Sequence, residues 1–162
     1  MLNATHIKNY NKQRKNTDKS ILCHAPFVSI NFEQNGNMTA CCYNRYDILG
    51  RYPYASIAEA WNSLAANRLR EYIKTDELDG GCNACRELIE AGNYRGTKAI
   101  FYDEYASKKT NNNSAGIVAM PRVFEFELQN TCNLECVMCN GYFSSTIRKN
   151  REKLPSTAMV YD

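Results

Sequence analysis

No run of apolar residues in this chain is long enough to cross a bilayer, and the opening segment MLNATHIKNYNKQRKNTDKS lacks the apolar core of a secretion signal. Both absences point to a cytoplasmic protein with no membrane partner. Charge of one sign is also lacking: the net charge is +3, and the basic residues are scattered outside a short cluster of Lys8, Lys12, Arg14, Lys15 and Lys19. Nucleic acid is therefore not an implied partner. Internal repeats are missing too. What the chain does have is cysteine, eight in 162 residues, alongside an apolar content of 44% that permits a core. In a reducing compartment so many cysteines are not explained by structural disulfides, and their close spacing points to metal ligation or redox chemistry.

The length suits one ordinary domain, or one small domain and part of another. Residues 1–20 read as a flexible, solvated basic tail. Phe27 to Phe32 alternates like a strand and runs into Glu33-Gln34-Asn35-Gly36, where Asn-Gly is a hairpin signal. A return strand through Met38 and Ala40 reaches Cys41 and Cys42. Ser56 and Glu59 predict a capping box for a helix whose apolar side carries Ile57, Trp61, Leu64, Leu69, Tyr72 and Ile73. After the break at Asp79-Gly80-Gly81, a helix is expected from about Asn83 to Ala91, with Cys82 and Cys85 at its amino-terminal end, where thiolates are favoured. A weakly helical stretch at Ile100 to Ala106 leads to a polar run, residues 108–119, read as a linker. Val123 to Leu128 then alternates as a strand with Phe124, Phe126 and Leu128 on one face and acids on the other. A cysteine-rich loop follows, then a helix from about Ser144 to Lys153, stopped by Pro155.

Cys132, Cys136 and Cys139 form C-x-x-x-C-x-x-C with no cysteine after them. Three thiolates on one short loop can hold three irons of a cubane cluster and leave the fourth iron open. Two plainer readings compete. The spacing also places three small apolar side chains on one face of a buried helix, although the preceding strand and the Asn-Thr break favour a loop. Zinc would find only three ligands here, an incomplete structural site unless a distant residue joins.

The order of strand, CNLECVMC and helix resembles the opening of a radical SAM enzyme. The resemblance implies that Cys132, Cys136 and Cys139 hold a 4Fe-4S cluster whose open iron chelates the methionine part of S-adenosylmethionine. Reductive cleavage would then give a 5'-deoxyadenosyl radical that abstracts hydrogen from an unknown substrate, peptides being among the candidates. A flavodoxin or ferredoxin would supply the electron. Met138 stands before the last cysteine, where the family often has an aromatic. Upstream, Cys23-His24-Ala25-Pro26, the Gly36 to Cys41 spacing, the Ser-Ile-Ala-Glu-Ala-Trp helix and Cys82-Asn83-Ala84-Cys85 resemble the twitch form of the SPASM auxiliary-cluster domain over roughly residues 21–92. This implies a second 4Fe-4S cluster on Cys23, Cys41, Cys82 and Cys85, with Cys42 spare, although a shift of strand register would exchange Cys41 and Cys42. Four thiolates in two pairs also suit zinc, so a non-catalytic four-cysteine zinc or electron-transfer module is the alternative.

The expected fold is α+β: a small twitch-like hairpin-and-helices domain over 21–107, the linker 108–119, and the first strand-loop-helix of a truncated partial (β/α) barrel over 120–162. A barrel of this type needs roughly 200 residues, far more than follow Cys139. The chain as given is therefore expected to hold clusters without turning over, and no residue is assigned as catalytic. The face of Phe124, Phe126 and Leu128 and an unpaired strand edge are expected to be left poorly covered.

Overall fold

Asn35-Gly36 makes the turn from which the sheet is built. Gly36 adopts a positive φ of 87°, and its amide donates to the Glu33 carbonyl while Glu33 N donates to the Asn37 carbonyl. A side chain would be strained in that conformation. The computed structural model describes residues 2–15, 19–106 and 119–156, and within them the turn joins β1 (Ser29–Phe32) to antiparallel β2 (Asn37–Thr39). β3 (Gly50–Arg51) adds antiparallel to β2, and β4 (Val123–Phe126) adds parallel to β1, giving the order β3-β2-β1-β4. The architecture is α+β, as the element order predicts.

The strand reading of Phe27 to Phe32 is half right. Pro26 sets the first turn of a one-turn helix, α2 (Ala25–Val28), and extended structure begins only at Ser29. Every residue of β1 is buried, because the strand is central and covered on both faces, so no solvated face exists to produce true alternation.

The tail reading is corrected. Residues 4–13 form helix α1 (Ala4–Gln13), whose first turn is capped by the Asn3 side chain accepting from His6 N at 2.8 Å. Tyr10 is fully buried; its hydroxyl donates to the Leu22 carbonyl at 3.1 Å and its ring lies 6.2 Å from Tyr94. Arg14 is buried as well: Nε and Nη2 donate to the two oxygens of Asp103 at 2.9 and 2.6 Å, and Nη1 donates to the Ile21 carbonyl at 2.6 Å. The basic cluster suggested a solvated arm because the partner of its buried member lies far away in sequence.

The helix expected from Ser56 is two helices, α3 (Ile57–Trp61) and α4 (Leu64–Lys74). The capping box forms at Ser56 and Glu59, but Ser63 offers a second cap by accepting from Ala66 N, and the chain breaks there. The break shifts the phase of the apolar stripe, burying Trp61, Leu69 and Ile73 and leaving Leu64 86% exposed. Arg70 of α4 stacks over Trp61 at 4.5 Å and donates to the Pro26 carbonyl, fixing α4 against α2. Helix α5 (Asn83–Glu90) follows a 3-10 turn at Gly80–Cys82, and a second 3-10 stretch covers Lys98–Tyr105. Helix α6 (Ser145–Asn150) lies beyond the cysteine loop. Most of the 108–119 linker lies outside the described residues.

β4 departs most from expectation. It pairs with β1 from Ser29 against Val123 to Phe32 against Phe126, and the ladder is extended by Arg122 N to Val28 O and Glu127 N to Phe32 O, each 2.8 Å. The strand, expected without its barrel partners, is thus paired to β1 on one edge, while its outer edge ends the sheet among the described residues, as the expected unpaired edge does. Phe124, Phe126 and Leu128 remain 43%, 59% and 46% exposed, with Phe126 stacked on Phe32 at 5.0 Å. No helix among the described residues is long and apolar enough to cross a membrane.

Candidate metal centre

All eight cysteines are free thiols. Four of them, Cys23, Cys41, Cys82 and Cys85, face one cavity whose remaining wall is Tyr43, Asn44, Leu78, Gly81, Ala99 and Tyr102. Three segments deliver them. Cys23 precedes α2, Cys41 leaves β2, and Cys82 and Cys85 sit at the start of α5. The hairpin is what brings Cys41 back beside Cys23, because β2 runs antiparallel to β1.

Backbone and amide groups are aimed at the sulfurs. Ala25 N approaches Cys23 Sγ at 3.4 Å, Asn44 N approaches Cys41 Sγ at 3.4 Å, and the Asn44 side-chain amide approaches Cys82 Sγ at 3.5 Å. The amides of Ala99 and Lys98 are directed at Cys85. Such donors stabilise sulfur in its anionic form and tune the potential of a bound cluster. Burial nevertheless dominates: it pushes Cys41 and Cys82 up to about 12 and raises Cys85, and Cys23 stands well above the ordinary thiol range, the neighbouring cysteines adding to the burial there. Among the described residues no carboxylate or cation lines the cavity. Four anionic sulfurs in so dry a place need a positive centre among them, and this donor set fits an iron-sulfur cluster or zinc.

The cavity measures about 20 Å³, room for about one water molecule, and no three His, Cys, Asp or Glu side chains among the described residues converge closely enough to hold a single ion. Holding a cluster there would require the surrounding side chains to part.

Cys42 points away from this cavity. Burial raises its pKa, Glu125 raising it further and Lys98 opposing, and it is absent from the residues that line the cavity. The acidic side of β4 is filled with ion pairs. Lys98 Nζ and the Tyr102 hydroxyl each bond Glu125 at 2.5 Å, and Arg45 bonds Glu127 at 2.6 Å and Glu33 at 3.3 Å. Glu125 of β4 and Glu127 just past it, which the sequence left without a role, are partly buried and charge-paired.

Cys132, Cys136 and Cys139 lie on the loop between β4 and α6, as their spacing predicts, and not on a helix. Cys136 is exposed and the other two are half-buried. Cys139 N donates to the Cys136 carbonyl at 3.0 Å, and the turn tip between them, Val137-Met138, is almost fully exposed. Residues in and around α6 hold the loop by its backbone: Thr146 Oγ1 donates to the Cys132 carbonyl at 2.6 Å, Ser144 Oγ to the Leu134 carbonyl at 3.2 Å, and Arg151 to the carbonyls of Cys136 and Cys139. The two cysteine groups sit towards opposite ends of the sheet. Cys41 follows β2 at the end where β1 and β4 begin, whereas the three-cysteine loop follows β4 at the end where both finish.

The residues that sequence reasoning missed are Asn44, Arg45, Lys98 and Tyr102. Each works through a partner distant in sequence, and only Asn44, three residues after Cys41, had a local signal.

A family model for SPASM, an iron-sulfur cluster-binding domain, matches residues 23–86. The matched span starts at Cys23 and ends just after Cys85, so it contains all four cavity thiols, while the three-cysteine loop lies outside it. No curated protein and no solved structure matches the chain. Residues 23–86 are thus a SPASM iron-sulfur cluster-binding domain.

Proposed function

We propose that this chain carries the amino-terminal cluster-binding region of a radical SAM enzyme, with an auxiliary 4Fe-4S cluster on Cys23, Cys41, Cys82 and Cys85 and a second 4Fe-4S cluster on Cys132, Cys136 and Cys139. The observation that carries the reading is the convergence of those four thiols on one buried cavity inside the SPASM match. Such domains are typical of radical SAM proteins, and a three-thiolate loop leaves one iron of a cubane without a protein ligand. When bound, the second cluster would supply the electron that cleaves S-adenosylmethionine to a 5'-deoxyadenosyl radical.

The chain's own residues have separable tasks. The SPASM cysteines saturate a cluster with four ligands, which suits it to electron transfer or to shaping a substrate chamber, while buried Leu78, Ala99 and Tyr102 keep water from it. The 132–139 loop is held mainly through backbone carbonyls and the Glu135 side chain, which leaves its thiols available to iron. An electron donor such as a flavodoxin or ferredoxin, and a substrate that includes peptides among its candidates, are the partners this reading requires.

Anaerobic reconstitution followed by iron, sulfide and zinc analysis tests it. About eight irons per chain are expected for two cubanes, falling to about four when Cys132, Cys136 and Cys139 are all alanine. Stoichiometric zinc without visible absorption would replace this reading with the non-catalytic module.

A further inference from the structure

Arg45 stands four residues after Cys41, yet none of its partners belongs to the four-cysteine cavity. Its guanidinium bonds Glu127 just past β4 at 2.6 Å and Glu33 at the hairpin turn at 3.3 Å. It also stacks on Phe143 at 4.8 Å and Tyr142 at 5.5 Å, the aromatic pair a few residues beyond Cys139. Tyr142 is held from three further directions: its hydroxyl donates to Glu33 at 3.3 Å, and its carbonyl accepts from Gln34 at 2.5 Å and from Asn130 at 3.3 Å. Glu33 is only 2% exposed. The segment that carries Arg45 is itself built around the cavity sulfurs, through Asn44 on Cys41 and Cys82.

We propose that Arg45 is a positioning residue that couples the two cysteine groups: it fixes the start and end of the three-cysteine loop in a geometry set by the filling of the SPASM cavity. Both flanks of the loop, Glu127 before it and Tyr142-Phe143 after it, meet at this one guanidinium. A planar fork that bonds two carboxylates while lying against two rings is a role lysine does not reproduce. Ordering the 41–47 segment around a bound cluster orders Arg45, and Arg45 orders the loop. The inference rests on the proposed cluster at Cys132, Cys136 and Cys139.

A double-mutant cycle tests it, reading the rate at which that cluster loses iron to a ferrous chelator under anaerobic conditions. The SPASM contribution is subtracted using protein with alanine at 132, 136 and 139. With the SPASM site filled, Arg45→Ala should speed iron loss about tenfold, as removal of a charge-assisted hydrogen bond does. Arg45→Lys should fall between Arg45→Ala and the wild type, and Glu127→Gln, which keeps the shape of its side chain, should also speed the loss. With the SPASM cysteines replaced by alanine, the loss should already be fast and Arg45→Ala should add little. An equal effect of Arg45→Ala in both backgrounds, or none in either, overturns the coupling. If alanine at 132, 136 and 139 leaves the iron content unchanged, the loop holds no cluster and both readings fall.

Discussion

Arg14 belongs to a segment that looks like a solvated basic arm, and replacing it with methionine measures how far that appearance misleads. Its side chain is fully buried and that of Asp103 is 4% exposed, with His24 Nε2 a further 3.7 Å from the same carboxylate. Removing the guanidinium leaves a carboxylate in the interior without its fork of donors, which costs roughly 3–5 kcal/mol. The lower end applies, because the imidazole of His24 stays beside it. Against a total stability of about 5–15 kcal/mol this is a large fraction. Urea denaturation followed by far-UV circular dichroism, under anaerobic reducing conditions, should show a midpoint lower by about 1–2 M for a slope near 2 kcal/mol/M.

Replacing both partners distinguishes a buried pair from a surface one. Arg14→Met with Asp103→Leu removes the stranded charge and restores most of the stability, as apolar replacements of buried ion pairs do. Two further effects should accompany the single change. Helix α1 should loosen, because Nη1 also holds the Ile21 carbonyl, and iron occupancy at Cys23 should fall, because His24 and Asp103 fix the chain next to it. A midpoint shift below about 0.3 M for Arg14→Met is what a surface charge gives, and it would refute the docking of this helix.

Cys41→Ala should remove about four irons per chain while Cys42→Ala leaves the content unchanged, by colorimetric iron assay, because of the two only Cys41 faces the cavity; the reverse result would make Cys42 the ligand. Gly81→Ala should lower both iron occupancy and melting temperature: a Cβ there would stand 1.7 Å from Asn44 Oδ1 and expel the side chain that bonds Cys82 and Asp47, an overpacking cost of about 1–3 kcal/mol. Wild-type occupancy in that variant would show that Asn44 is dispensable. Burial holds the Tyr10 hydroxyl protonated beyond the usual tyrosine range, with Arg14 pulling the other way. A folded value above the unfolded one gives stability that is complete below about pH 10 and drains away as pH rises further. Tyr10→Phe should therefore cost about 1 kcal/mol at neutral pH for the lost bond to Leu22 and show a shallower alkaline decline, and parallel pH profiles for the two proteins would count against it.

The local signals in the sequence were reliable where the structure is local. Asn35-Gly36 gave the hairpin, and Ser56 and Glu59 the capping box. The cysteine spacings separated a three-thiol loop from a four-thiol group, and the structure gathers the latter in one cavity. What could not be read was long-range pairing. Nothing near Arg14 announces Asp103, nothing near Arg45 announces Glu127, and the choice between Cys41 and Cys42 is made in the bend after β2, beyond the alternation of the strand. Ser63 was legible in principle, but a continuous apolar count through Trp61 and Leu64 concealed it as a second cap.

A polar run between residues 108 and 119 is a poor guide to independence. Parallel strands cannot be joined by a tight turn, so the long excursion between β1 and β4 is what their pairing requires, and here it contains Cys41, Cys82 and Cys85. β1 thus has the hairpin on one edge and β4 on the other, and a strand buried on both faces cannot lose either neighbour without exposing backbone. The four residues of β1 span on the order of 10 Å, and that rise separates the end of the sheet near Cys41 from the end that launches the three-cysteine loop. A change in the β1–β4 register would therefore move one group along the sheet relative to the other while leaving every cysteine in place in the sequence.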